Sequence, residues 1–357
     1  MSRTGKLTAA LFLVLLVNTA YLAAYASPTI FYMANVLLHL GLGLALAVAF
    51  AVLLARRPDW RPSWRQSPWM TAAAALFGVS LLAGIYLVAR GNVFGNRWAL
   101  QAHIAAAGLG VAALLVWVWR RRSEGGDLWI RFRQGLTAAA ALLILWPVGA
   151  SLYRKANPNP ADRIRNPLIV PTSMNEEGGG PQSPFFPSSA KTNVGGTIPS
   201  NFFMDSATCG ECHKDIYEQW NSSAHHFASF NNQFYRKSIE YMQDVVGTQP
   251  SKWCAGCHDH AVFFNGRFER PIKEQIDTPE AHTGLGCTSC HSIVHVDSSM
   301  GNGGFTIEYP PLHDLANSKN PAIRAVDRFL TFTEPAPHRN TFMKPFMRMD
   351  SAEYCST

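Results

Sequence analysis

The chain has 357 residues, of which 48% are hydrophobic and only 15% are charged, whereas roughly 25% of the residues in an average soluble domain are charged. The charge is divided unevenly: residues 1–155 hold 15 Lys and Arg against three Asp and Glu, a formal +12, and residues 156–357 carry −5. Because the basic half is also the apolar half, the basic pI does not indicate nucleic-acid binding, and a single soluble domain is excluded. The break near residue 155 predicts two domains.

Residues 1–155 are predicted to form a bundle of transmembrane helices. A bilayer core needs about 20 consecutive apolar residues per helix, and residues 7–55 contain no Asp, Glu, Lys or Arg. This run is long enough for two spans, and Ser27-Pro28-Thr29 divides it. Pro147 is expected to kink the last span. Five spans are predicted, at residues 7–26, 30–55, 68–89, 98–119 and 134–153.

The arginines between the spans predict the orientation. Lys and Arg concentrate in the cytoplasmic loops of membrane proteins. Here the loop after the second span contains four arginines and the loop after the fourth contains five, against none and two in the other loops. The N-terminus is therefore predicted in the cytoplasm, and the chain after residue 155 on the periplasmic side of a bacterial inner membrane. A cleaved secretory signal ending at Ala24-Tyr25-Ala26 is the alternative for the first span, and it leaves the orientation of the others unchanged.

Two histidines stand at matching places in an internal repeat of the membrane half. Thr8 to His39 is 31 residues, Thr71 to His103 is 32, and Gly-Leu-Gly follows each histidine. The repeat predicts two parallel helix pairs, with His39 and His103 at similar depth near the outer ends of their helices. An ionisable side chain inside a bilayer indicates a functional site. Two facing imidazoles are able to ligate a haem b iron axially; a quinone site and a structural role are the alternatives.

Residues 156–206, with eight prolines and five glycines, are predicted to be an extended linker. The domain that follows, residues 207–357, is organised by cysteine, since six of the seven cysteines form three Cys-x-x-Cys-His motifs. This motif attaches c-type haem, because its two thiols form thioethers with the haem vinyl groups and the adjoining histidine reaches the iron as proximal ligand. The motifs are Cys209-x-x-Cys212-His213, Cys254-x-x-Cys257-His258 and Cys287-x-x-Cys290-His291.

Other chemistries share parts of this motif. A Cys₂His₂ zinc site, a redox dithiol and paired disulfides use the same cysteines, but paired disulfides would not require a histidine after every second cysteine. The seventh cysteine, Cys355, is followed only by Ser356 and Thr357. With Cys-His next, these residues would complete a fourth motif, so we predict a fourth haem site interrupted at this point. The alternative is one unpaired thiol.

Each haem iron also needs a sixth ligand or a reason to lack one. Seven histidines of the haem domain lie outside the motifs, a surplus that favours bis-histidine coordination and low potentials. His225 is preferred to its neighbour His226, because it ends the segment Tyr217-x-x-Trp220-x-x-Ser223-x-His225, which suits packing on a haem face. The distal candidates are His225, His282, His295, His226, His260, His313 and His338.

The haem domain resembles the multihaem cytochrome c-552/c-554 family over residues 200–300. The resemblance is carried by the first motif, the Tyr-x-x-Trp-x-x-Ser-x-His segment, the second motif, and the Gly-Leu-Gly before the third. It implies closely stacked haems, a mostly irregular and helical fold, and electron transfer, with His213, His258 and His291 as the proximal ligands. The family's Gly-Pro-rich stretch after the last motif is replaced here by Ser292-Ile293-Val294, and the membrane half lies outside the resemblance.

The expected fold is mainly α: a five-helix transmembrane bundle followed by an irregular, helical multihaem cytochrome c domain. The expected function is electron transfer between the membrane quinone pool and acceptors outside the cytoplasm. Membrane lipid and other redox proteins or respiratory subunits are the expected partners, and the acidic haem domain suits docking of a basic one. Two alternatives are an oxidoreductase of a small nitrogen or sulfur compound, which needs a haem with an open face, and a non-catalytic subunit that anchors other cytochromes. No catalytic side chain is indicated.

Overall fold

The fold is mainly α with a small sheet, as the sequence predicts. The chain divides into two compact units, each built from two segments. The membrane unit comprises Met1–Asn157 and Asp314–Asn340, and the cysteine unit comprises Pro158–His313 and Thr341–Thr357. The computed structural model describes residues 3–56, 67–121, 126–300, 302–310, 312–348 and 350–357. Some arginines that support the predicted orientation lie outside these ranges, namely Arg57, Arg61, Arg65 and Arg122.

Five helices of the membrane unit are long and apolar enough to cross a membrane, as predicted. Such helices satisfy their backbone hydrogen bonds internally while their side chains face lipid. The fifth extends beyond its predicted span into charged residues at both ends, and Pro147 lies inside it. The helices are α1 (Arg3–Ala24), α2 (Ile30–Arg56), α3 (Pro68–Arg90), α4 (Arg97–Arg120) and α5 (Asp127–Ala156).

Small side chains let these helices approach one another closely. α1 contacts α2 and α5, and α3 packs along α4, so the members of each predicted pair are in contact. Ala20 on α1 and Ala99 on α4 are fully buried, as expected where close packing rather than the hydrophobic effect holds helices together in lipid. Leu16, Val111 and Leu136 join α1, α4 and α5 in one buried cluster.

A segment from the C-terminal part of the chain completes the membrane unit. Its central helix contacts α2 and α3. The Asn92 amide donates to the Phe332 carbonyl oxygen at 3.0 Å, and the Asn340 side-chain amide donates to the Ala26 carbonyl oxygen at 2.8 Å. The composition break near residue 155 does not indicate this association, because the partners are far apart in the sequence. The helices of the segment are α12 (His313–Ala316), α13 (Pro321–Thr333) and α14 (Ala336–Phe342).

The cysteine unit is built around phenylalanine. Its largest fully buried side chains include Phe202, Phe203, Phe230, Phe263 and Phe264. The first two come from the Pro/Gly-rich segment 156–206, so this extended segment also contributes to the core. Aromatic rings bury much area for few ordered torsions, which suits a unit of short elements.

The regular elements of the cysteine unit are short. Strand β1 (Lys191–Thr192) pairs in parallel with β3 (Phe305–Ile307), and β3 pairs antiparallel with β2 (Ile293–Val296). The helices are α6 (Ser206–Gly210), α7 (Lys214–Asn221), α8 (Gln233–Val246), α9 (Thr248–His258), α10 (His260–Phe263) and α11 (Cys287–His291). The 3-10 helices among the described residues are Phe94–Asn96, Pro160–Asp162, Met174–Glu176, Gly180–Gln182, Ser200–Phe203, Arg267–Glu269, Ile272–Glu274, Pro279–His282 and Tyr354–Ser356.

Candidate haem sites

The second motif forms the end of α9. Cys254, Cys257 and His258 lie on the last turns of this helix. The Nδ1 atom of His258 lies 2.7 Å from the carbonyl oxygen of Ala228. A carbonyl only accepts, so Nδ1 donates and carries the ring proton, and Nε2 keeps its lone pair. This is how proteins orient a histidine that ligates a metal.

The third motif repeats this arrangement. It forms the short helix α11, and the Nδ1 atom of His291 lies 2.9 Å from the carbonyl oxygen of Phe342. The Thr288 hydroxyl donates to the Phe202 carbonyl oxygen at 2.7 Å, which ties α11 to the phenylalanine core. The His291 ring thus has a fixed tautomer on an anchored helix, with Nε2 available to a metal.

The surfaces around the motifs suit a large apolar cofactor. Cys212, Cys257, His213 and His291 are exposed, and His258 is half-buried. Large apolar side chains beside the first two motifs are also exposed, since Ile216 keeps 57%, Phe227 52% and Trp253 49% of their accessible surface. A porphyrin bound through the cysteines would cover such groups, so the residues present fit covalent haem. Among the described residues, no three His, Cys, Asp or Glu side chains converge to hold a metal ion by themselves.

The first and third motifs meet. Helix α6, which carries the first cysteine of the first motif, packs on α11. The Cys287 amide donates to the Ser206 hydroxyl at 3.1 Å. The Cys209 thiol donates to the Cys287 sulfur, which lowers the pKa of Cys287 and raises the pKa of Cys209. Haems attached here would therefore have neighbouring anchor points.

The three motifs lie within a stretch of the chain that matches a known family. Residues 208–292 match the family model described as Cytochrome c554 and c-prime. Residues 208–292 form a cytochrome c family domain. This confirms the cytochrome part of the resemblance read from the sequence. Comparison of the chain with curated proteins finds no match, and comparison with solved structures finds none either.

Residues 208–292 are therefore similar to a family of haem-binding cytochromes, and the described residues of the same chain include five helices long and apolar enough to cross a membrane. The family match ends at residue 292, so it does not extend to the membrane unit. We call residues 208–292 the cytochrome domain.

A buried carboxyl group lies beneath His258 in the cytochrome domain. Asp259 is 1% exposed and accepts short hydrogen bonds from the Ser229 and Tyr235 hydroxyls. Burial raises the pKa of Asp259 to about 7, although the two hydroxyl donors lower it. The Tyr235 ring stacks on the His258 imidazole with centroids 4.2 Å apart. Asp259 thus positions Tyr235, and Tyr235 supports His258. The sequence analysis did not predict this network. The only sign of it in the sequence is the acidic residue that directly follows the second motif.

We expect Asp259→Asn to lower the free energy of unfolding by about 2 kcal/mol. The carboxylate accepts hydrogen bonds from two buried hydroxyls, but an amide has only one acceptor atom. One of the two hydroxyls would therefore face the donating amide nitrogen and lose its hydrogen bond. Chemical denaturation followed by circular dichroism measures this loss. Asp277→Asn is the matched control, since Asp277 is an exposed carboxyl of the same domain. Equal stability of the two variants would contradict a supporting role for the Asp259 network.

The seventh cysteine lies beside the third motif. The Tyr354 hydroxyl donates to the Cys290 carbonyl oxygen at 2.6 Å. Burial raises the pKa of Cys290 to about 11, with smaller contributions from Cys355 and Cys287. Cys355 is exposed. This placement is compatible with another haem next to the third one, and the fourth site stays a prediction.

His225, the distal candidate preferred from the sequence, and its neighbour His226 lie between the first and third motifs. The Trp220 indole donates to the Leu285 carbonyl oxygen at 2.7 Å, and the Leu285 amide donates to the His225 carbonyl oxygen at 2.8 Å. His225 itself is exposed. The His226 ring packs on Trp220 with centroids 4.5 Å apart, and its Nδ1 atom lies 2.9 Å from the Asn221 carbonyl oxygen. His226 therefore has the fixed tautomer of a ligand, whereas His225 has the greater access.

Three other candidates for distal iron ligands differ in their location and in whether a ring nitrogen is available to bind iron. His282 is exposed and donates from Nε2 to the Ile276 carbonyl oxygen at 2.6 Å, which leaves Nδ1. Both nitrogens of His295 are engaged, with Nδ1 3.4 Å from the Ala161 oxygen and Nε2 3.3 Å from Asp297. His338 lies on α14, and residues 314–340 pack with the membrane unit. Of these three histidines, only His282 lies in the cytochrome domain and has a ring nitrogen, Nδ1, that is available to an iron.

Two candidates are part of the phenylalanine core. His260 is 3% exposed, with its Nε2 atom 2.8 Å from the Gly256 carbonyl oxygen. Burial lowers the pKa of His260 to about 4, so this ring is neutral in the fold. The His313 ring packs on Phe202 with centroids 4.8 Å apart, and its Nε2 atom lies 3.6 Å from Asp205. Neither ring faces the protein surface, so their geometry favours a structural role.

The two membrane histidines lie next to each other with their rings nearly perpendicular. The ring centroids of His39 and His103 are 6.2 Å apart, with an interplanar angle of 75°. The Thr19 hydroxyl donates to the Leu15 carbonyl oxygen at 2.7 Å, so its oxygen accepts from Nδ1 of His39 at 3.3 Å. Nδ1 of His103 donates to the Ser80 carbonyl oxygen at 2.8 Å. Both imidazoles thus keep Nε2 free. The sequence analysis did not predict these roles of Thr19 and Ser80, although each is a polar residue in an apolar helix.

Proposed function

We propose that this protein is a membrane-anchored multihaem cytochrome that carries electrons from the membrane quinol pool to acceptors on the periplasmic side. The observation that carries the proposal is the joining, in one chain, of three haem-attachment motifs with a helix bundle that contains a facing histidine pair. The haems supply one-electron carriers, and the protein holds them in a fixed series, so transfer needs no moving part.

Three c-type haems are assigned to the three motifs. Their cysteines would form the thioether bonds, and His213, His258 and His291 would ligate the irons from the proximal side. Contact between the first and third motifs supports close stacking of their haems. The distal candidates with a ring nitrogen available to the iron are His225, His226 and His282.

A b-type haem is assigned to His39 and His103. Imidazoles that ligate one iron from opposite sides are separated by two metal–nitrogen bonds of about 2 Å each, plus the distance from each nitrogen to its ring centre. The observed centroid distance of 6.2 Å agrees with this sum. The bonded Nδ1 atoms orient the rings as metal-ligating histidines are oriented. Electrons from quinol would enter at this haem.

The side of the membrane and the partner follow from charge. The arginines in the loops after the second and fourth spans support a cytoplasmic position for these loops and an outer position for the cytochrome domain. Residues 156–357 carry a formal −5, a charge that would attract basic redox proteins or respiratory subunits and accelerate their encounter.

A haem count tests the proposal directly. We expect the purified protein to carry three covalent c-type haems and one extractable b-type haem per chain. A pyridine haemochrome spectrum distinguishes the two types, and the mass of the intact chain counts the covalent ones. In the haem-loaded protein, addition of a reduced quinone should reduce the c haems. A colourless protein with titratable thiols would refute the proposal.

A further inference from the structure

A polar stripe runs along α2 from its first turn to the histidine pair. Tyr32, Asn35 and His39 recur at spacings of three and four residues, so they share one face of the helix. Tyr32 is only 2% exposed. At a rise of 1.5 Å per residue, Tyr32 lies about 10 Å from His39 along the axis. Polar groups in lipid are costly and mark functional paths.

A buried amide on α1 faces this stripe with one acceptor unused. Asn18 donates through Nδ2 to the Asn35 side-chain oxygen at 2.9 Å and to the Asn35 carbonyl oxygen at 3.2 Å. The Asn18 side chain is 94% buried, since its residue keeps 6% of its accessible surface. Its own oxygen, Oδ1, has no hydrogen-bond partner among the described residues. A buried acceptor without a donor is destabilising, so this atom points to a ligand with a hydroxyl group.

A carboxyl group lies near the same end of α2. Glu334 follows the last residue of α13, and its amide donates to the Leu330 carbonyl oxygen at 2.7 Å. The helix that Glu334 follows, α13, packs on α2, the helix that carries Tyr32. Burial raises the pKa of Glu334, while the Ala336 amide and the Arg339 guanidinium lower it. These are the groups that face the carboxyl, from α2 and from its own segment.

Aromatic rings lie beside the polar stripe, since the Tyr21 ring is 6.1 Å from the Tyr32 ring. The Tyr21 ring lies 5.5 Å from the Phe31 ring and 6.2 Å from the Trp146 ring. Phe31 keeps 66% of its accessible surface, so one ring of this group is accessible from outside the helix bundle. A flat aromatic headgroup would find stacking partners here before it reaches the amides.

We propose that the headgroup of a lipid hydroquinone binds to four side chains: Asn18, Asn35, Tyr32 and Glu334. Asn18 Oδ1 accepts a hydrogen bond from a hydroxyl group of the hydroquinone. The Glu334 carboxylate accepts the protons that the hydroquinone releases. This rests on the proposed function. Oxidation of one hydroquinone to quinone breaks two O–H bonds. The haem that His39 and His103 would hold would take up the two electrons one at a time, each passing on to the c haems before the next arrives. The two protons pass one at a time to the Glu334 carboxylate, which releases each to water.

The binding half of the proposal is tested with a fluorescent alkyl-hydroxyquinoline N-oxide, a hydroquinone analogue, titrated into the purified holoprotein. We expect Asn18→Leu to weaken its binding about tenfold, the usual effect of losing a hydrogen bond to a buried acceptor. Thr137→Val is the control, because the Thr137 hydroxyl of α5 donates to the Arg133 carbonyl oxygen and accepts from the Trp119 indole, and neither partner belongs to the proposed site. Unchanged affinity in Asn18→Leu would overturn the assignment of Asn18, and Asn18→Ser replaces it if leucine prevents folding.

The proton-transfer half is tested by a pH profile of haem reduction by a soluble hydroquinone. A carboxylate accepts a proton only when ionised, so the wild-type rate should rise with pH through the raised pKa of Glu334. Glu334→Gln should lower the rate about tenfold or more at neutral pH and abolish the rise, whereas Glu334→Asp should retain it. Asp127→Asn, which removes an exposed carboxyl from the first turn of α5, should leave the profile unchanged.

The outcomes separate this site from the proposed function. Failure of hydroquinone to reduce the wild-type haems would overturn both proposals. Normal reduction of the wild type, with a wild-type pH profile in Glu334→Gln, would overturn the proton-accepting role alone and leave electron transfer intact.

Discussion

Replacement of His39 by alanine is expected to remove the b-type haem and to slow reduction of the c haems by hydroquinone about 100-fold or more, because an iron that loses an axial protein ligand is no longer held. His39 and His103 lie on helices that are distant in sequence, and their rings meet at 6.2 Å. Reduction of the c haems by a small chemical reductant should be unaffected, since that route does not pass through the membrane.

Three measurements make this result specific. The haemochrome spectrum should lose its b component and keep its c component. Thr137→Val should keep both, because the α5 hydroxyl does not contact the histidine pair. The near-perpendicular rings should give the intact b haem the highly anisotropic low-spin electron paramagnetic signal of crossed axial imidazoles, and that signal should vanish with His39. Unchanged quinol-dependent reduction in His39→Ala would contradict the membrane half of the proposed function.

Replacement of both cysteines of the second motif by serine is expected to remove one covalent haem, because serine forms no thioether. The c-type haemochrome absorbance should fall by about one third, as three attachment motifs become two. The mass of the chain should fall by one haem, apart from the small change at the two cysteines. Stability should fall as well, since Trp253 and the stacked Tyr235–His258 pair would lose a covering macrocycle.

Single replacements provide the comparison. Cys254→Ser leaves Cys257 to form one thioether, so the haem should remain attached and its mass should be retained. His258→Ala should also retain the covalent haem but lose its proximal ligand, which would appear as a change from low-spin to high-spin iron. An unchanged haem count in the double variant would show that the second motif does not bind haem.

Local patterns predicted much of this protein. The five spans follow from runs of apolar residues, and the structure forms a helix over each of them. The haem motifs are local as well, because two thiols and an imidazole within five residues determine the attachment chemistry. The distal histidines could not be predicted in this way. His260 and His226 look equivalent in sequence, yet one is buried among phenylalanines and the other stacks on Trp220 beside exposed surface.

By itself, the sequence predicted where haem would attach and determined which segments are apolar enough for lipid, since both depend on residues adjacent in the chain. The tertiary structure decided the rest: the pairing of His39 with His103, the hydroxyl and carbonyl partners of their Nδ1 atoms, and the packing of residues 314–340 on α2 and α3. These contacts join residues far apart in sequence. Which side chains then meet depends on how whole helices pack, and no local pattern records that.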